Sequence, residues 1–216
     1  MFVGRRMARN LITVTPDTSI LKVKNILKQY AVDQVPVVEG KKLVGIITDR
    51  NIRENSASPA STLSVHEINY LLSEMKAREI MTKKLHTVSP GTTIEAAAKL
   101  INEKHVNSLP VVVNDELVGI ITTCDMLNVL LEFMGMDTPS SRIELALSID
   151  MGEIEKISSI INSMGLTIMS IVSAISSEKS DMRTTVIRVN TDDVTDLCKV
   201  FKESGYNVTT EYKVDK

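Results

Sequence analysis

The chain has 216 residues, a length that leads us to expect two or three compact units. Its 43% apolar and 24% charged content is that of an ordinary globular protein and excludes a disordered or fibrous chain. With 25 Lys plus Arg against 27 Asp plus Glu, a net charge of −2 and 3% aromatics, it lacks the basic excess of a phosphate-backbone binder and the rings of a base-stacking platform, so no nucleic-acid partner is expected.

No stretch approaches ~18 consecutive apolar residues, so no membrane-spanning helix is expected. The N-terminal MFVGRRMARN has charge but no apolar region behind it, unlike a signal peptide. Cys124 and Cys198 stand far apart, with no CxxC or Cys/His metal spacing. Lone cysteines of this kind suit a reducing compartment, and a cytoplasmic location is the expectation.

An internal repeat organises the first two thirds. Residues 7–52 align on 81–126 at a constant offset of 74, and 17 of the 46 pairs are identical. ITVTPDTSI faces HTVSPGTTI, VPVV faces LPVV, and LVGIIT recurs unchanged. Each copy opens on a short extended piece (Ile12 to Val14; Thr87 to Val88) stopped by Pro16 or Pro90. A helix follows, carried by Ile20, Val23, Ile26 and Leu27 or by Ile94, Ala97, Ala98, Leu100 and Ile101, with Thr18 and Thr92 as its expected N-caps. VPVV and LVGII, or LPVVV and LVGII, then read as a hairpin, and a last helix starts near Thr48 or Thr122. The unit is β-α-β-β-α. Between the copies, ENSASPAST (54–62) reads as a loop, and Ser64 to Glu67 as a capping box for a helix through about Lys76. The second copy's last helix, from Asp125 to Met134, stops at Gly135.

A different unit follows. IELALSI (143–149) is a strand, and Asp150-Met151-Gly152 turns into a helix bearing Ile154, Ile157, Ile160, Ile161 and Met164. Strands at 166–175 and 183–189 flank a polar loop. Val194, Leu197, Val200 and Phe201 mark a second helix, and a last strand alternates through Tyr206, Val208, Thr210, Tyr212 and Val214. This β-α-β-β-α-β order is the ferredoxin-like plan, which hosts many functions. The resulting division is 1–60, a connecting loop and helix at 61–79, 80–135, a linker and possible hinge at 136–141, and 142–216.

No catalytic set emerges. His66, His86 and His105 have no metal or nucleophile partner at motif spacing and read as surface or loop residues. Cys124 at a helix start could favour a thiolate, or be a plain small side chain. The recurrent polar feature is the turn after GIIT: Thr48-Asp49-Arg50-Asn51 in copy one and Thr122-Thr123-Cys124-Asp125 in copy two. It reads either as an N-cap or as a hydroxyl and carboxylate placed to bind a ribose diol and phosphate, and the two roles can coexist.

The paired T-V-x-P, hydrophobic-P-V-V and G-I-I-T-x-x-[DN] motifs resemble a tandem pair of CBS domains over about residues 1–135. The tail, with its Asp150-Met151-Gly152-Glu153-Ile154 turn, resembles an ACT domain, and the order of parts is similar to the acetoin-utilisation AcuB-like group. The fold this implies is α/β (α+β): two β-α-β-β-α repeats packed sheet to sheet as a pseudo-twofold pair, then a ferredoxin-like ACT domain. The implied function is a non-catalytic sensor of an adenosine-type nucleotide (AMP, ADP, ATP or S-adenosylmethionine), with no catalytic cofactor and no metal. Carried over by position, Thr48 and Asn51 face ribose and phosphate in one cleft, and Thr122 and Asp125 in the other. Val35, Pro36, Leu109 and Pro110 line the adenine slots, backbone near Thr13 and Thr87 reads the adenine edge, and Arg50 contacts phosphate. Asn51 replaces the motif's Asp, so the Asp125 cleft is expected to be the better site. The ACT resemblance implies a small-ligand site at Asp150, Met151 and Gly152. Gly152 would permit close backbone approach, and Met151 would fill space there; the residues themselves also read as an Asp150 N-cap followed by a glycine in the first helical turn. A homodimer and an unidentified protein partner are implied as well. The competing reading is a ligand-free interaction module that oligomerises with an enzyme. An enzyme acting on a nucleotide lacks any nucleophile–base pair to support it.

Overall fold

The computed structural model describes residues 1–56, 64–175 and 181–210. The chain divides into two compact units, Met1–Met126 and Leu127–Lys216. Eight α-helices and two four-stranded sheets are present among the described residues.

In the first unit, copy one runs α1 (Ile20–Tyr30), β1 (Gln34–Glu39), β2 (Lys42–Thr48) and α2 (Asp49–Asn55). Helices α3 (Val65–Glu74) and α4 (Ala77–Ile80) connect the copies. Copy two runs α5 (Ile94–Lys104), β3 (Ser108–Val113) and β4 (Glu116–Thr122), and α6 (Thr123–Phe133) begins in this unit and continues into the second. The opening pieces form single parallel bridges, Val14 to Val37 and Val88 to Val111. Ile20, Val23 and Leu27 bury one stripe of α1 against Val35, Val37 and Ile47, as the helical spacing requires. The caps lie one residue beyond the expected ones. Ser19 and Thr93 accept from the Lys22 and Ala96 amides, whereas Thr18 and Thr92 accept from Thr15 N and Ser89 N and close the preceding turns.

The 74-residue offset is a spatial two-fold. The hairpins join in the order β1-β2-β4-β3 at the single pair Lys42–Glu116. Leu43 N donates to Asp115 O at 3.3 Å, and its counterpart Leu117 N to Lys41 O at 3.0 Å. Ser108 Oγ donates to Gln34 Oε1 at 2.6 Å, a bond between equivalent positions. The ladder between the hairpins is confined to the Lys42–Glu116 pair, and the Gln34–Ser108 bond joins the two outer strands of the order, so away from the join the hairpins face each other.

The lead-in segments are exchanged between the copies. Ile20 N, an orphan donor at the start of α1, bonds Met75 O at 2.9 Å, and Ile94 N at the start of α5 bonds Met1 O at 3.0 Å. Ala77 N reaches Thr18 O and Val3 N reaches Thr92 O, each at 2.8 Å. Residues 1–8 thus complete copy two, and residues 75–82 complete copy one. Met81 lies over Gly45, and Met7 over Gly119, where a Cβ would overlap the thioether. Use of the Met75 carbonyl also explains why α3 stops at Glu74 instead of reaching Lys76: Met75 is extended (ψ 132). The Ser64–Glu67 capping box is present, with Ser64 N donating to Glu67 Oε2 at 2.7 Å. Of the expected loop at 54–62, Glu54 and Asn55 belong to α2, Ser56 follows, and the rest lies outside the described residues.

The second unit contains β5 (Ser141–Ser148), α7 (Glu153–Ser163), β6 (Ile168–Ile175), β7 (Met182–Val189), α8 (Thr195–Glu203) and β8 (Asn207–Thr209). The sheet order is β6-β7-β5-β8, with every neighbouring pair antiparallel, which is the ferredoxin-like arrangement. Ile143, Leu145, Leu147, Ile187 and Val189 of the sheet pack against Ile157 and Ile161 of α7 and Leu197, Cys198 and Phe201 of α8. Residues 136–141 do not run free of this unit. Arg188 on β7 donates to Ser140 O at 3.3 Å and to Met136 Sδ at 2.7 Å, and β5 already begins at Ser141. β8 ends at Thr209, and the expected continuation through Tyr212 and Val214 lies outside the described residues.

Candidate ligand cleft

Both GIIT turns are N-caps. Thr48 Oγ1 accepts from Asn51 N at 3.2 Å, while Asn51 Oδ1 accepts from Thr48 N at 2.9 Å and Thr48 Oγ1 at 2.8 Å. Thr122 and Asp125 repeat the set. Asp125 N donates to Thr122 Oγ1 at 3.2 Å, and Asp125 Oδ2 accepts from Thr122 N at 2.8 Å and Thr122 Oγ1 at 2.7 Å. The capping reading is therefore realised in both copies, and it orients the same groups that a ribose would need. The copies differ at the next atom. Asn51 Nδ2 reaches Thr82 Oγ1 at 3.4 Å. The counterpart of Thr82 is Ala8, which offers no hydroxyl, and the counterpart of Asn51 is the charged Asp125.

Ala8 lies on the wall of a cavity of about 270 Å³. Leu11, Ile12, Val32 and Pro36 of copy one form one side, and Ile120 and Thr122 of copy two the other. The cleft is composite, so Thr122 works opposite Pro36 of the other copy. Strand alternation explains which hydrophobic residues take part: Pro36 faces the cavity while Val35 is in the core. Leu109 and Pro110 are buried in β3. Thr13 and Thr87 are exposed, and the neighbour Ile12 supplies wall. Arg50 is exposed, with its Nε bonded to Glu54 Oε1 at 2.7 Å. That bond and the carboxylate charge hold the guanidinium pKa above its ordinary value. Asn10, Asp33 and Gln34 also line the cavity and were not among the expected site residues. The period-two alternation around Pro36 could have pointed to Gln34, but the pairing of one copy's loop with the other copy's helix start is a tertiary fact.

The Asp150–Gly152 turn differs from expectation. Asp150 does not cap α7. It accepts from the Ser148 hydroxyl, and its own N–H bonds Ser148 Oγ at 3.1 Å. The N-cap is Gly152 at φ +87, and nothing lies within 4 Å of a Cβ built there, so the glycine serves the left-handed backbone and not a close approach. Met151 is 96% exposed and fills no site. Among the described residues no group of three His, Cys, Asp or Glu side chains could hold a metal. None of their helices is long and apolar enough to cross a membrane.

A CBS-domain family model matches residues 3–58 and 77–132, more than half of the chain and both repeats. The chain belongs to the CBS-domain family. The CBS pair is 31% identical over 121 residues to inosine-5′-monophosphate dehydrogenase of Korarchaeum cryptofilum, a match covering 55% of this chain and 22% of that enzyme. The chain thus spans about a fifth of the dehydrogenase's length. Among solved structures, AcuB of Vibrio cholerae, assigned to acetoin utilization, is 26% identical with a TM-score of 0.52, covering 64% of this chain and 98% of that one. CBSX2, solved in complex with AMP, is 27% identical with a TM-score of 0.51, covering 61% and 96%.

The capping geometry of the CBS pair carries a prediction. Asp125→Ala removes the acceptor at the start of α6 and is expected to cost about 1 kcal/mol of stability in denaturant unfolding. Asp125→Asn, which reproduces Asn51, is expected to cost less than about half of that.

Proposed function

We propose that this protein is a non-catalytic regulator whose CBS pair binds an adenosine-type ligand (AMP, ADP, ATP or S-adenosylmethionine). The observation that carries the reading is the composite cavity, with Pro36 on one wall and the Thr122–Asp125 cap at the other. Its apolar faces suit a purine, and a carboxylate beside a hydroxyl suits a ribose diol. The AMP complex of CBSX2 supports the ligand class, and the likeness to AcuB supports a role in acetoin or related carbon use. The signal passes to the C-terminal unit, whose β-α-β-β-α-β order supports the ACT resemblance. A ligand achieves this only through different affinities for two states.

A homodimer belongs to the same proposal. Met169, Ile171, Val172 and Ile175 leave the edge strand β6 exposed and apolar, and Leu127, Leu130 and Phe133 do so on α6. The same surfaces favour the second reading, a ligand-free module that holds a partner enzyme.

Thermal unfolding against AMP, ADP, ATP, S-adenosylmethionine, NAD and amino acids separates the two. At about 100 times its dissociation constant a ligand adds roughly 2.7 kcal/mol, a rise of about 5–10 °C in the first unit's midpoint. One adenosine compound is expected to give that rise and to lose it in Asp125→Ala. No rise with any compound would leave the ligand-free module.

A further inference from the structure

The residues around the composite cavity and those at the equivalent positions of the other copy differ in charge. Among the described residues no Lys, Arg or His lines the cavity, and Asp33 does. Asp125, bonded to the wall residue Thr122, adds a second carboxylate. The neighbouring Arg9 is exposed and is not among the lining residues, and its Nη2 donates to Gly4 O at 2.7 Å. The 74-residue offset carries Asn10 onto Lys84, Ile12 onto His86 and Ala31 onto His105. It carries the two carboxylates, Asp33 and Asp125, onto the amides Asn107 and Asn51. The backbone at these positions is shared: Ala31 and His105 are both left-handed, at φ 51 and 52. The repeats therefore keep one scaffold, with carboxylates around the cavity where the other copy has amides, and neutral residues where it has Lys or His.

We propose that the Pro36–Thr122 cavity takes an adenosine derivative without phosphate, either neutral or cationic at its 5′ end, and turns polyphosphates away. This rests on the adenosine reading above and narrows it. A phosphate in a half-enclosed site beside two carboxylates meets repulsion at raised effective strength, and no wall cation offsets it.

The test is binding of tritiated adenosine to the full chain, with displacement by S-adenosylmethionine, AMP and ATP. Adenosine should bind, and Ile12→Trp, which fills the cavity, should abolish binding. S-adenosylmethionine should displace adenosine, and ATP should do so on the order of 100-fold less effectively than adenosine itself. Asn10→Lys combined with Asp33→Asn imports residues the other copy already carries at the same backbone positions, so folding is retained. That variant should raise the effectiveness of ATP relative to adenosine about tenfold. Displacement by ATP as strong as by adenosine, or no change in the double variant, overturns the proposal while the adenosine reading stands. Binding that survives Ile12→Trp overturns it too. No binding of any of the four compounds removes both.

Discussion

Val3→Asp should lower the stability of the first unit by about 3–5 kcal/mol, a fall in its unfolding midpoint of about 10 °C or more. Val3 lies near the end of the chain, where a substitution would ordinarily be tolerated. Here it is fully buried, and its amide bonds Thr92 O at 2.8 Å in the turn before α5. Met1 O receives the Ile94 amide, Gly4 N reaches Pro90 O, and Ala8 bridges Ile120 on β4. A carboxylate at position 3 would be buried beside backbone that has no donor to spare. Arg5→Asp, two residues on and exposed, is the control and should change stability by less than about 0.5 kcal/mol. The two-fold gives a second check. Ala77→Asp, the equivalent change, should destabilise copy one as Val3→Asp destabilises copy two. A Val3→Asp midpoint within about 2 °C of wild type would mean that residues 1–8 do not complete copy two.

Phe201→Ala should cost the second unit about 3–5 kcal/mol. Phe201 is fully buried at the centre of the α8 face, and its ring meets that of Tyr206 edge-on with centroids 5.8 Å apart. The surrounding Ile143, Leu145, Ile157 and Leu197 come from β5, α7 and α8, so the cavity left by truncation cannot collapse by a single side-chain movement. Far-UV and near-UV dichroism in denaturant should show an early transition confined to this unit, with adenosine-dependent stabilisation of the CBS pair retained. A loss below about 1 kcal/mol would mean that the α8 face is not the organising core of the unit.

Much of this architecture is written in local sequence. The 74-residue repeat, the β-branched hairpins and the Ser64–Glu67 cap each follow from a spacing or from one side chain bonding one amide, and the structure contains all three. The discrepancies arise where backbone geometry decides. Ser19 and Thr93 cap their helices because Thr18 and Thr92 are already engaged in the turn before, a competition between two adjacent hydroxyls that propensity does not rank. Helices α1 and α5 end at left-handed Ala31 and His105 without a glycine to mark them. At Asp150 the sequence offers a good cap, yet Ser148 takes the carboxylate and Gly152 stands at the cap position.

The cleft was half legible. The Thr-x-x-[Asp/Asn] motif locates the polar end, because its spacing is one helical turn. Pro36 is recognisable from the strand. That Thr122 faces Pro36 and not Pro110 depends on how the two copies cross, and that crossing depends on the exchanged lead-in segments. Asn10, Asp33 and Gln34 enter the site only through that arrangement. The repeats differ in charge or polarity at these positions as well as at Asn51 and Asp125 inside the motif, so part of the chemistry that separates the copies lies outside the motif that announces them.

The most direct measurement is a crystal structure of the full chain grown with the adenosine compound that raises the first unit's midpoint most. The expected result is an adenine ring between Ile12 and Pro36, with the ribose hydroxyls against Thr122 and Asp125. An empty cavity, with the compound bound instead at the Asp150–Gly152 turn, would contradict the assignment of the CBS pair as the sensing site.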